Sequence, residues 1–332
     1  MSKQKNKRIG RGFGFCLILI TVILVGVPLG AFTYFTNQFI SEDILLTAEN
    51  NNYTISTKTA AAAEKEFNTV CSNSLFFLDI LNANTSQLFT RKAVESFFDR
   101  NPNIGAIAVS NGKQYINEEY FSANALDQEL FNDFITFYDS EIQEATMGLT
   151  SIINVAPLFK VPLVAILAPW KTGGKNQAMI LLYSTEELTQ LFAAGDYNQS
   201  YMINHRGDLI IHSDYSLIEA GANIAKLSLV ENMKKSKEST GSVTFMDSDK
   251  EYLGAYTMLT FANAGVLSQI EKETVMKTIE LQTQQNFNLS LAALSLAVLI
   301  MFIISLIVRR LIKKAETKGE KLGKGENMGP NS

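Results

Sequence analysis

Two uncharged apolar runs, one near each end, limit what this chain can fold into. Residues 13–35, "FGFCLILITVILVGVPLGAFTYF", and 289–308, "LSLAALSLAVLIMFIISLIV", contain no charged side chain. As helices they would rise about 34 Å and about 30 Å, enough to cross the hydrocarbon core of a bilayer. A basic start also fits a cleaved secretory signal, but the length of the first run and the poor small-residue pattern at Leu29, Gly30 and Ala31 favour an uncleaved anchor. Lys3, Lys5, Lys7, Arg8 and Arg11 precede the first run, and Arg309, Arg310, Lys313, Lys314, Lys318, Lys321 and Lys324 follow the second. Basic flanks stay in the cytoplasm, so both termini are expected there and the middle of the chain outside.

That middle is acidic. Of 29 basic and 33 acidic residues, the flanks take twelve bases and three acids, leaving 17 against 30, a balance of −13. Nucleic acid needs clustered cations and is excluded as a partner. Cys16 lies in the first apolar run and Cys71 outside it, so no disulfide framework is expected. A segment of about 250 residues buries enough apolar surface without one.

Residues 31–101 contain neither Gly nor Pro, which permits a helix that leaves the membrane and continues outward. Phe67, Val70, Leu75, Leu78 and Leu81 fall near one face of it. The small residues of "TAAAAE", 59–64, serve helix propensity and close approach of a partner helix equally well. After Pro102 the period changes to two. "IGAIAVS", "VPLVAILAPW" and "QAMILLY" read as strands with turns at "NGK" and "KTGGKN", followed by a helix whose Ser184 and Glu187 have capping-box spacing. A similar set follows: "YMIN", "DLIIHS", a helix with Ser228 and Glu231 at the same spacing, then "GSVTF", "EYLGAYTML" and "AGVLSQI". Residues 266–318 again lack Gly and Pro, so a helix beginning near Glu271 can run through the second span.

The stretch "YMINHRGDLIIHSD", 201–214, concentrates the chemistry. It holds both histidines and the RGD tripeptide. Gly207 falls where a hairpin needs positive φ, which favours a structural turn over an adhesion signal. His205, His212 and Asp214 lack a recognised metal-ligand spacing, so no metal is expected. "DSDKE", 247–251, has Tyr252 and Met258 where a calcium loop needs Gly and Glu, and reads as a hairpin tip. The chain has no GxSxG, Walker loop or HExxH, and neither catalysis nor a cofactor is expected.

An anchor, a long outward helix, two tandem sheets and a return helix, with the strand, glycine turn and strand of 201–214, resemble the double-Cache extracellular sensors of bacterial chemoreceptors, histidine kinases and membrane-bound nucleotide cyclases. The resemblance implies an α+β fold with tandem PAS-like antiparallel sheets on a long N-terminal helix, flanked by two transmembrane helices. It implies a cytoplasmic segment 1–12, a transmembrane helix 13–35, a helical segment 36–101, a membrane-distal unit 102–194, a membrane-proximal unit 195–287, a second transmembrane helix 288–308 and a cytoplasmic tail 309–332. The expected place is the cell (inner) membrane, and the expected assembly a homodimer. Ser213 stands where the family usually has Pro, and "ELFNDFITFYDSEI", 129–142, lacks the Arg and Trp of amino-acid-binding members. A bidentate Arg is the usual partner of an α-carboxylate, so an amino-acid ligand is not expected. A pocket in the distal unit should draw on Tyr115, Tyr120, Tyr138, Lys160 and Trp170, since aromatic side chains and a few polar groups line small-molecule sites. The competing reading makes the tyrosines ordinary core and Lys160 a surface charge. The tail after the second span is too short for a kinase or cyclase, so the expected function is a small-molecule sensor coupled to a missing output domain or a separate cytoplasmic signalling partner. The alternative is a non-signalling envelope scaffold that binds an extracellular protein, with an RGD adhesin as a third reading.

Overall fold

A computed structural model of the chain describes residues 16, 19–84, 86–193 and 198–325. The expected cytoplasmic segment 1–12, the start of the first span and the last seven residues lie outside the described residues. The chain divides into two compact units, one of residues 1–45 with 276–332 and one of Leu46–Val275.

The first unit contains two helices long and apolar enough to cross a membrane, within Leu19–Ala83 and Lys272–Ala315. Helix α1 (Val27–Ala83) is preceded by a π-helical turn at Val22–Gly26. It lies antiparallel to the C-terminal helix, Lys272–Gly325. The Thr33 and Ser290 hydroxyls meet at 2.6 Å, and Asn286 Nδ2 donates to Asn37 Oδ1 at 3.1 Å. Leu24, Phe32, Leu289 and Leu296 remain exposed on the outside of the pair. That is the surface expected of helices solvated by lipid.

In the second unit α1 carries two sheets. The helical segment expected over 36–101 consists of two helices, α1 ending at Ala83 and α2 (Gln87–Arg100). The cause is local competition for backbone donors: Asn84 Oδ1 accepts from Ser86 N, and Ser86 Oγ caps the new helix through Phe89 N. The distal sheet contains β1 (Ile104–Val109), β2 (Gln114–Ile116), β3 (Ser151–Asn154), β4 (Leu163–Thr172) and β5 (Lys175–Ser184) in the order β2-β1-β5-β4-β3. The proximal sheet contains β6 (Gln199–Ile203), β7 (Leu209–His212), β8 (Thr240–Asp247), β9 (Lys250–Met258) and β10 (Gly265–Glu271) in the order β7-β6-β10-β9-β8. All ladders are antiparallel, and the two orders are one topology used twice.

Both capping boxes expected from spacing are absent. Ser184 is the last residue of β5, paired with Leu163, so Thr185 becomes the N-cap of the helix Glu186–Phe192. Leu227 packs beside the proximal core and enters the helix Ser228–Lys235 as its N-cap, which makes Ser228 the first helical residue.

The chemistry by which helix α1 is attached changes along its length. Over the distal sheet it buries Phe67, Val70, Cys71, Leu78 and Leu81 against Ile107, Ile166, Met179 and Leu181. The same cluster continues onto Met202, Ile210, Ile211 and Val266 of the proximal sheet, and nearer its start α1 adds buried hydrogen bonds to that sheet. Asn52 Nδ2 donates to Leu253 O at 2.9 Å, Asn52 Oδ1 accepts from Ser268 Oγ and Asn198 Nδ2, and Ser56 meets Thr257 at 3.1 Å. Asn52, Ser56 and Ser268 are buried to within 1 % of complete exclusion.

Candidate functional site

The distal sheet has a second layer on the face away from α1. Alternation along the strands turns the small residues Ala106, Ala108, Ala165 and Ala178 to this face. The shallow floor is filled by Phe121, Phe131, Phe134 and Phe159 from the short helices α3 (Glu118–Ala123), α4 (Gln128–Phe137) and the helix Ala156–Phe159. Ile142 and Ala145 of α5 (Asp139–Thr146) close one side. Phe131 and Phe134 are completely buried. Ile153, Leu163, Leu167, Ile180 and Leu182 of the strands fill the rest of the layer.

The five residues expected to line a pocket divide between the two faces. Tyr115 lies on the α1 side, its ring 5.9 Å from Phe77. Trp170 is buried on that side and donates its Nε1–H to Asp79 Oδ1 at 2.8 Å, which ties β4 to α1. Tyr120 and Tyr138 edge the aromatic layer. Tyr120 lies over Gly105, where a Cβ would come within 3.1 Å of its ring. Its phenol is pushed up by burial, against a hydrogen bond with Ser184. Tyr138 ends α4 with its ring 4.8 Å from Phe134, and burial and then the Glu141 charge raise its phenol. Lys160 adopts φ +59° at the end of its short helix, and its exposed Nζ lies 3.6 Å from Glu219 Oε1. Tyr120 and Tyr138 therefore share a layer, Tyr115 and Trp170 fasten the sheet to α1, and Lys160 belongs to the junction with the proximal module.

That junction is polar on one side. Asn154 Nδ2 donates to Ile218 O at 2.7 Å, and Asn204 Nδ2 to Ile152 O at 3.3 Å. Asn204 Oδ1 accepts the backbone N–H groups of Arg206, Gly207 and Asp208, each at 3.0 Å, which builds the hairpin around one buried amide. Gly207 is buried at φ +95°. Arg206 Nη1 reaches Glu141 Oε1 at 2.9 Å, and Asp208 accepts from Asn204 and Asn223. The RGD tripeptide is thus engaged in contacts within the chain, with Arg206 at the surface. Burial alone would raise the Glu141 carboxyl, but hydrogen bonds from Ser140 and Arg206 outweigh it and hold the group below the usual carboxylate range. None of this pairing was legible in the sequence, since 65 residues separate Arg206 from Glu141.

A second contact runs through α1. Phe67 stacks on Phe261 of the proximal module at 5.8 Å and meets Tyr183 of the distal sheet edge-on at 6.2 Å. Glu64 accepts the backbone N–H groups of Thr260 and Phe261 and the Thr260 hydroxyl. His205 is exposed, while half-buried His212 accepts the Asp214 N–H through Nδ1 and is held below the usual histidine range by burial. Among the described residues, no three His, Cys, Asp or Glu side chains are grouped to hold a metal.

No family model and no curated protein matches the sequence. Solved structures match its fold. The ligand-binding domain of Mlp24 with asparagine is 14% identical, with 73% of this chain and 99% of that chain covered and a TM-score of 0.50. The extracellular domain of soHK1S-Z6, named as a histidine kinase, is 15% identical, with 73% and 99% covered and a TM-score of 0.50. The sensory domain of the Campylobacter jejuni chemoreceptor Tlp3 is 13% identical, with 72% and 99% covered and a TM-score of 0.49. The chain has the tandem PAS-like fold of such sensory domains.

Proposed function

We propose that this chain is a membrane-anchored extracytoplasmic small-molecule sensor, acting as a homodimer and passing ligand binding to a cytoplasmic partner or output domain. The observation that carries the reading is the fold: the likeness covers 99% of the Mlp24 ligand-binding domain, and apolar helices flank the corresponding region here. In this reading the ligand enters the aromatic layer of the distal module beside Tyr120 and Tyr138. Mlp24 holds asparagine, but residues 102–194 of this chain contain no arginine, and Lys160 is exposed and committed to Glu219. A layer made of alanines, large aliphatic side chains and phenylalanines fits an uncharged, largely apolar molecule.

The test is a thermal-shift screen of the full chain in detergent against small uncharged aromatics and aliphatics, with amino acids alongside. A true ligand at a hundred times its Kd adds about 2.7 kcal/mol of stability. The expected hit is apolar, and Phe134→Trp should abolish its shift. A screen in which free amino acids alone raise Tm overturns the apolar assignment. The complete burial of Phe131 and Phe134 also fits a scaffold whose layer never opens. That reading prevails if no compound shifts Tm and a protein partner is captured instead.

A further inference from the structure

Helix α5 has two loaded faces. Ile142 and Ala145 point into the aromatic layer of the distal module, while Glu141 points out of it and holds Arg206 of the proximal hairpin at 2.9 Å. Tyr138, one residue before α5, feels the charges of Glu141, Arg206 and Asp208 together. The hairpin is stiff, because Asn204 accepts three consecutive backbone donors and also donates to Asp208 and to Ile152 O of the distal sheet. Behind the hairpin β6 pairs with β10, and β10 ends at Glu271, where the C-terminal helix begins at Lys272.

We propose that α5 and the hairpin of residues 204–208 form a latch between the modules, in which Arg206 holds the helix whose other face closes the aromatic layer. Opening the layer for a ligand requires α5 to shift, and the Glu141 carboxylate cannot shift without dragging or releasing Arg206. The RGD tripeptide is then an internal coupling element that reports the state of the distal layer to the strand pair leading to the C-terminal helix. This deepens the sensor reading, but its test needs no ligand, so it can fail while the ligand screen succeeds, and the reverse.

The experiment is hydrogen exchange with mass spectrometry on the full chain in detergent, comparing wild type, Arg206→Ala, the isosteric Glu141→Gln and the double variant. For a partly exposed ion pair, Arg206→Ala should speed exchange in residues 139–146 by about two- to fivefold. Glu141→Gln should speed exchange in residues 204–212 to a similar degree, and the double variant should add nothing to either single change, as for two ends of one interaction. Unchanged exchange across the junction, additive effects, or a uniform rise over all protected amides of both modules would each overturn the latch. Glu141→Gln preserves shape and keeps the test decisive even if Arg206→Ala does not fold.

Discussion

A Cβ at Gly207 would lie 2.7 Å from the Cα of Ala225, at a φ of +95° that L residues rarely adopt. Gly207→Val therefore meets a backbone clash and dihedral strain together, and should cost about 1–3 kcal/mol or more of stability in a urea titration. Arg206→Ala, next to it, should cost about 1 kcal/mol or less, since the pair it breaks is partly exposed. His212 gives a pH signature. Burial holds its folded pKa below the ordinary value, so as pH falls below about 6.5 the unfolded chain binds the proton first and the folded state loses stability. His212→Gln should flatten that loss in thermal melts between pH 7 and 5, while leaving stability above pH 7 nearly unchanged.

The elements legible in the sequence are those whose burial alternates or whose turns demand particular residues. In β1 Ile107 and Val109 face α1 while Ala106 and Ala108 face the aromatic layer, so "IGAIAV" announces a strand buried on both sides. The tip of "DSDKE" is a tight hairpin with Ser248 and Asp249 at positive φ, a conformation short polar residues tolerate. The helices α3 to α5 were not legible: each is ten residues or shorter, and the spacing of Phe131 and Phe134 is too brief a signal to stand out. The pocket residues scattered for a similar reason. Residue type identifies an aromatic, but only strand parity and helix placement decide that Trp170 faces α1 and Tyr138 the other layer. At this scale the key prediction concerns α1. Asn52→Ala leaves Leu253 O, Ser268 and Asn198 without their shared buried partner, and should cost about 1–3 kcal/mol. The same substitution at exposed Asn50 should cost little.

At the scale of the molecule, the basic residues that flank the apolar helices set the topology to be tested. A reporter fused after Ser332 should remain in the cytoplasm, and one inserted at Gly173, in the β4–β5 turn, should be exported. The tandem of two similar sheets was legible in two sets of alternating segments, but the short strands β2 and β3 and the order of the strands were not, since three or four residues carry too brief a signal. The mutual docking of the modules was not, since it depends on single side chains such as Asn154 and Asn204 that meet distant carbonyls. The two-part attachment of α1 has a thermal consequence. Exposing apolar surface raises heat capacity and exposing polar surface lowers it, so the apolar and the hydrogen-bonded stretches of this helix contribute to the unfolding heat capacity with opposite sign. Apolar contact weakens on cooling. Chilling should therefore weaken the apolar stretch of α1, Phe67 to Leu81, more than the hydrogen-bonded stretch at Asn52 and Ser56. Amide exchange along α1, corrected for intrinsic rates and compared at 5 °C and 25 °C, would show this as protection lost first from Phe67 to Leu81, making the helix a strip of two materials that respond unequally to temperature.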